Sequence, residues 1–215
     1  MAISEVLKAA EAHADAASNA VRAIIDAEYL RFSEAELLSF VQTFETTARL
    51  VFTAQVRIAG EIDTRKIATA HGASSTPGLL RNILTISHPD ARARVQTAQA
   101  TLPQPAVSGG SIDPVLPLLG AALADGEIGV EQTRTIVATM TKLPAGVDPE
   151  LRENVQDTLV EHGILTEPQP FARVVKLDAV PGPSPRRATR TAHSTNDPTP
   201  TKSTCTSAPG TPAPG

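Results

Sequence analysis

Six cations fall between residues 57 and 100: Arg57, Arg65, Lys66, Arg81, Arg92 and Arg94, against Glu61, Asp63 and Asp90, a net of +3. On either side the balance reverses, with four basic and eight acidic residues in 1–56 and five and eleven in 101–180. A basic island in an acidic domain is the kind of patch that holds phosphate oxygens. Lys66, Arg81, Arg92 and Arg94 are the candidate phosphate contacts, and Gln96 is a polar side chain placed to join them. The competing reading is an ordinary solvated face.

Residues 75–100 give that island a shape. Two short helices joined at Thr85-Ile86-Ser87 resemble a helix-turn-helix, with Leu79-Leu80 buried on the first, Ile86 buried at the turn and Val95 on the second. On the second helix Ala91, Val95, Ala98 and Leu102 form an inward row, flanked on opposite sides by Arg92 and Arg94, while Gln96 points outward. Flanking arginines suit phosphates better than base edges, and Asp90 near the helix start opposes deep insertion into a groove.

Catalytic constellations are absent from the sequence. The histidines are His13, His71, His88, His162 and His193, no two within a helical turn, and each reads as a surface, cap or tail residue. No nucleophile elbow, P-loop or H-E-x-x-H run occurs. Glu150, Glu153 and Asp157 share one side of a helix, but no histidine or fourth ligand is placed to join them, so they read as a solvent face and no metal is expected. The chain is expected not to be an enzyme and to need no cofactor. No small-molecule site is evident.

The elements that must position these residues are helices. Residues 4–31 are Ala-rich with a weak apolar stripe. Ser33 and Glu36 form an S-x-x-E capping box that opens the strongest helix. Its apolar row is Leu37, Val41, Phe44, Ala48, Val51, Ile58 and Ile62, at spacings of three and four, with Gln55 the only interruption. That row runs roughly 38 Å and is either the spine of a bundle or a dimerisation seam. Further helices follow: Pro77 onward, capped by Thr76, with Leu79, Leu80, Ile83 and Leu84 buried; Pro89 to about Ala100, capped by Ser87 or His88; Asp113-Pro114 to Gly126; Val130–Lys142 with Ile136, Val137 and Met140 buried; Asp148-Pro149 to Gly163 with Leu151, Val155 and Leu159 on one face; and Pro168–Leu177. Residues 103–112 are a loop. No alternating strand pattern occurs, and the fold class is all-α: a multi-helix bundle with a long spine helix and a helix-turn-helix-like pair.

Aliphatic residues stop at Val180. Residues 181–215 hold eight Pro and eight Thr, no Ile, Leu, Val, Met or aromatic residue, and four basic residues against one acidic. Such a segment cannot bury enough apolar surface to offset its ordering entropy, so it is expected to be a disordered tail. The organisation is an N-terminal helix (1–32), a helical domain (33–180) and this tail (181–215). The only cysteine, Cys205, lies in the tail, which leaves no disulfide and fits a cytoplasmic setting. No apolar run approaches the ~20 residues needed to span a bilayer, so no membrane association is expected.

One passage carries a family resemblance. Ala122-Leu123-Ala124-Asp125-Gly126-Glu127-Ile128-Gly129, then Glu131-Gln132 and Leu143-Pro144, resembles the L-A-x-G-E-I-S-x-E-H … L-P run of the 13E12 repeat family, the domain of unknown function numbered 222. Upstream, Ala73-Ser74-Ser75-Thr76, Leu79-Leu80, Ile86-Ser87 and Ala91-Arg92-Ala93-Arg94 resemble that family's G-x-S-x-x-x-L-L … I-S-x-x-E-A-R-x-R segment. The likeness covers roughly residues 30–178. Two departures stand out: His88-Pro89-Asp90-Ala91 replaces an acidic residue and Ala, and Leu177-Asp178 leads into the Pro/Thr tail. At that point the family usually continues with more helix and often an HNH endonuclease domain. A shifted frame through GC-rich coding DNA yields Pro, Arg, Ala, Thr, Ser and Gly, so a truncated or frameshifted member is one expectation and a genuine extension the other.

An HNH site needs a general-base His, an Asn and a metal-binding His on a ββα element, and none is evident here. The resemblance therefore implies the non-catalytic, DNA-engaging part of a nuclease-associated family. The alternatives are a helical interaction or homodimerisation module, or a non-functional truncated product.

Overall fold

A computed structural model describes residues 3–173 apart from 107, 145 and 169. The Pro/Thr segment 181–215, with His193 and Cys205, lies outside the described residues, as does the end of the expected 168–177 helix.

Eight α-helices follow one another: α1 (Ile3–Ile25), α2 (Glu34–Thr64), α3 (Ile67–Ala70), α4 (Thr76–Leu84), α5 (His88–Thr101), α6 (Pro117–Ala124), α7 (Val130–Lys142) and α8 (Pro149–Leu165). The chain is helical again at residues 168 and 170–173, where Phe171 is buried. The all-α expectation holds. Among the described residues its one exception is a two-residue antiparallel ladder in the 103–112 loop, pairing Gln104 with Ile112 and Pro105 with Ser111.

Local chemistry sets the helix ends. Ser33 Oγ accepts from the Glu36 N–H at 3.4 Å and the Glu36 carboxylate accepts from the Ser33 N–H at 2.8 Å, closing the capping box. The Ser33 backbone N–H, then its hydroxyl, hold the Glu36 carboxyl below its ordinary range. Ser87 caps α5 through the Asp90 N–H, and Asp148 caps α8 through the Glu150 N–H. Two starts differ from expectation. The cap of α4 is Ser75, whose Oγ accepts from the Gly78 N–H, and Thr76 is already helical and buried. Helix α6 begins at Pro117, three residues after Pro114, because Leu116 turns inward as a fully buried core residue. The first helix also stops sooner than expected, at Ile25, and a 3₁₀ turn (Tyr29–Arg31) leads into α2.

The core sits between the second half of α2 and helices α5 to α8. Phe52, Val56, Ala98, Leu116, Leu119, Leu123, Ile136 and Phe171 anchor it. A smaller cluster of Ala59, Leu80, Ala91 and Val95 ties α2 to α4 and α5. Helices α2 and α5 cross closely: a Cβ on Gly60 would lie 2.8 Å from Leu102 Cδ1 and 2.9 Å from the Ala98 Cβ. Only a residue without a side chain permits this approach.

The apolar row of α2 is not the face that enters this core. Val41 is 63% exposed, Ile58 61% and Val51 48%, while Leu37, Phe44 and Ile62 are half-buried. The buried residues are Phe52, Thr53, Val56, Ala59 and Gly60. At 100° per residue these centre roughly 110° round the helix from the row. The spine expectation is right for the helix and wrong for the row. Two smaller corrections share the cause, which is that each helix turns a face set by its neighbours. Ile83 and Leu84 on α4 are exposed, and on α8 Val155 and Leu159 pack on the core beside buried Gln156, Val160 and Gly163 while Leu151 stays exposed.

Candidate nucleic-acid interface

Three of the five candidate contact residues meet at one place. The end of α2, the α2–α3 turn, the start of α4 and the outer strip of α5 enclose a recess of about 420 Å³ whose lining includes Lys66, Arg92 and Gln96. Asp63, Thr69, Ser74, Ser75, Thr76 and Gln99 complete its polar wall. On α5, Arg92, Gln96 and Gln99 stand four and three residues apart and so share a stripe.

Lys66 and Arg92 are both exposed at the recess, and the Lys66 charge acts on Asp63. Lys66 occupies the left-handed region at φ 55°, the residue on which the chain reverses between α2 and α3. A non-glycine residue there stores strain, a condition that clusters at functional positions. Arg92 is exposed on α5, and neither cation makes an ion pair within 4 Å among the described residues. The nearby carboxylate is committed elsewhere. Asp63 Oδ1 accepts from the Thr76 hydroxyl at 2.7 Å and Oδ2 from Gln99 Nε2 at 2.8 Å. Partial burial pushes the Asp63 carboxyl up, but the Thr76 and Gln99 hydrogen bonds and the Lys66 charge outweigh it and hold the group below its ordinary value.

Arg94 is not part of this recess. Its side chain is 14% exposed and pairs with Asp90 at 3.0 Å, and Arg134 of α7 reaches the other Asp90 oxygen. Of the two arginines expected to flank α5 as phosphate contacts, Arg94 is thus engaged by its i,i+4 carboxylate while Arg92 is not. Arg81 is exposed on α4 and donates to the Asn82 side chain at 3.2 Å, away from the recess.

The α4–α5 pair is joined by Thr85, Ile86 and Ser87, with Thr85 left-handed at φ 54°. Helix α5 packs against α2, α4, α6 and α7, which leaves His88, Pro89, Arg92 and Gln99 as its exposed positions. Its exposed side is thus a single narrow strip, the one that lines the recess.

The family model for a domain of unknown function, DUF222, matches residues 38–194. The chain belongs to the DUF222 family. No curated protein and no solved structure matches it. The DUF222 match takes in α2 from its second turn onward and every helix of the recess.

Reading the DUF222 chain from sequence alone leaves out six polar members of the recess: Asp63, Thr69, Ser74, Ser75, Thr76 and Gln99. Gln99 had a legible signal, being seven residues after Arg92 on one helix face. Asp63 had none, since its partners Thr76 and Gln99 lie 13 and 36 residues away. Among the described residues no three His, Cys, Asp or Glu side chains are grouped to hold a metal ion, and no helix is long and apolar enough to cross a membrane.

Proposed function

We propose that this domain engages DNA through backbone phosphates at the recess formed by α2, α3, α4 and α5, as a non-catalytic part of an HNH-nuclease-associated family. The observation that carries the reading is the convergence of Lys66 and Arg92, both without an ion pair among the described residues, on one polar recess. A phosphate oxygen there replaces water on two cations and meets the Ser74 and Ser75 hydroxyls, while Asp63 is turned towards Thr76 and Gln99. The positive end of α4 adds a favourable partial charge. Gln96 supplies a neutral donor at the rim. The contacts are positional rather than base-reading, because cations and hydroxyls are what the recess offers.

Binding to duplex DNA should weaken linearly in log–log form with salt. Lys66→Ala with Arg92→Ala should flatten that slope by roughly 1.8, two phosphate contacts at about 0.9 each. Arg94→Ala should leave the slope alone and lower the melting temperature instead, because it strips Asp90 of a partner. Fluorescence anisotropy across a salt series reads the slopes. No binding at low salt, or binding indifferent to both salt and the double substitution, rejects the proposal.

A further inference from the structure

Helix α2 carries an apolar row of which Val41, Val51 and Ile58 stay exposed among the described residues, and the row has the arithmetic of a two-helix seam. Positions 37, 41, 44, 48, 51, 55, 58 and 62 alternate steps of four and three without a break, which is a strict seven-residue repeat over the whole helix. A helix that merely lies on a globular core follows 3.6 residues per turn and drifts off such a row. The core-facing residues Phe52, Val56 and Ala59 form a separate face of the same helix.

We propose that the row is covered by α2 of a second copy of this chain, running antiparallel. Reversing the helix so that residue i faces residue 99 − i sets Leu37 opposite Ile62, Val41 opposite Ile58, Phe44 opposite Gln55 and Ala48 opposite Val51. Every member of the row then has a partner from the row, and the midpoint coincides with the middle of Glu34–Thr64. The one polar member, Gln55, lies against a phenylalanine flank and penalises other registers, the role a single polar seam residue plays in paired helices.

Charge selects the direction. Residues 34–48 carry Glu34, Glu36 and Glu45 and no cation, a net of −3. Residues 49–66 carry Arg49, Arg57, Arg65 and Lys66 against Glu61 and Asp63, a net of +2. Antiparallel pairing sets the acidic half on the basic half and opposes the two helix dipoles; parallel pairing sets like on like. Shape agrees with charge. The first half of α2 contributes no buried residue to its own domain, so it is free to lie along the partner's second half. There it meets a groove of about 180 Å³ between α2, α4 and α5, lined by Gln55, Ile58, Ala59, Leu80, Leu84 and Arg94, with Ile83 exposed on α4.

The test uses the full chain with Cys205→Ser, so that introduced cysteines are unique. Sedimentation should give twice the chain mass, and Val41→Asp with Ile58→Asp should halve it with an unchanged helical circular dichroism signal. A short bifunctional thiol reagent should join Val41→Cys to Ile58→Cys when the two variants are mixed, and should join neither variant to itself. A chain that sediments as a monomer up to about 100 µM overturns the proposal. Cross-linking of Val41→Cys to itself overturns the antiparallel register.

Discussion

Phe44 and Phe52 stand eight residues apart on α2, and only Phe52 is buried in the core; Phe44 stacks on Phe40 at 6.3 Å between ring centres, at the helix's other end. The same division runs through the whole helix. Before residue 52 nothing is buried, although Leu37, Leu38, Val41 and Val51 are as apolar as anything that follows. After it, Thr53 is buried with its hydroxyl donating to the Leu123 carbonyl at 2.7 Å, and Gly60 admits α5. Burial here follows what crosses the helix, not how apolar the residue is. The half that crosses other helices stabilises the domain, and the half that does not is available to a partner.

The sharpest way to break that contrast is to put the same charge on both halves. Val56 is 1% exposed, so Val56→Asp buries an unpaired carboxylate at a cost of several kcal/mol, a large fraction of the ~5–15 kcal/mol that holds a domain together. The helical circular dichroism of that variant should collapse at room temperature, whereas Val41→Asp should keep it. A middle-sized effect is expected at the helix crossing. Gly60→Val adds a side chain where even a Cβ lies under 3.0 Å from two atoms, and the melting temperature should fall by the equivalent of about 1–3 kcal/mol of overpacking. The smallest effect belongs to the free half. Ser33→Ala removes a cap worth roughly 1 kcal/mol to the helix, yet the first turns bear no core contact. Amide exchange over residues 34–40 should quicken while the global melting temperature hardly moves.

The sequence showed the helices because their ends are local matters. Ser33, Ser87 and Asp148 each cap within three residues of themselves, and such signals need no knowledge of the rest of the chain. The bounds of α7, Val130–Lys142, match the reading residue for residue, since Gly129 and Leu143-Pro144 punctuate both ends. Which face of α2 turns inward was not legible, because the helix has two apolar faces and the longer one is the exposed one. The recess was legible in part. Lys66, Arg92 and Gln96 lie in a basic stretch, but their assembly depends on a left-handed residue and on Asp63 reaching Thr76 and Gln99. Arg94 could have been set aside from its spacing to Asp90; the contribution of Arg134, 44 residues further on, could not.

Gly126 ends α6 at φ +70°, and a Cβ there would lie 3.0 Å from Thr46 Cγ2 and 3.2 Å from Leu50 Cγ. Arg49 donates to the neighbouring Glu127 carbonyl at 2.8 Å, so this corner grips α2 at its midpoint. A grip at that point acts as a fulcrum. Beyond it the free arm of α2 reaches back about 24 Å to Glu34, so a 10° change of pitch at the corner would swing the tip by ~4 Å. Any side chain at position 126 would thus be felt most at the far end of the arm, well away from the substituted residue.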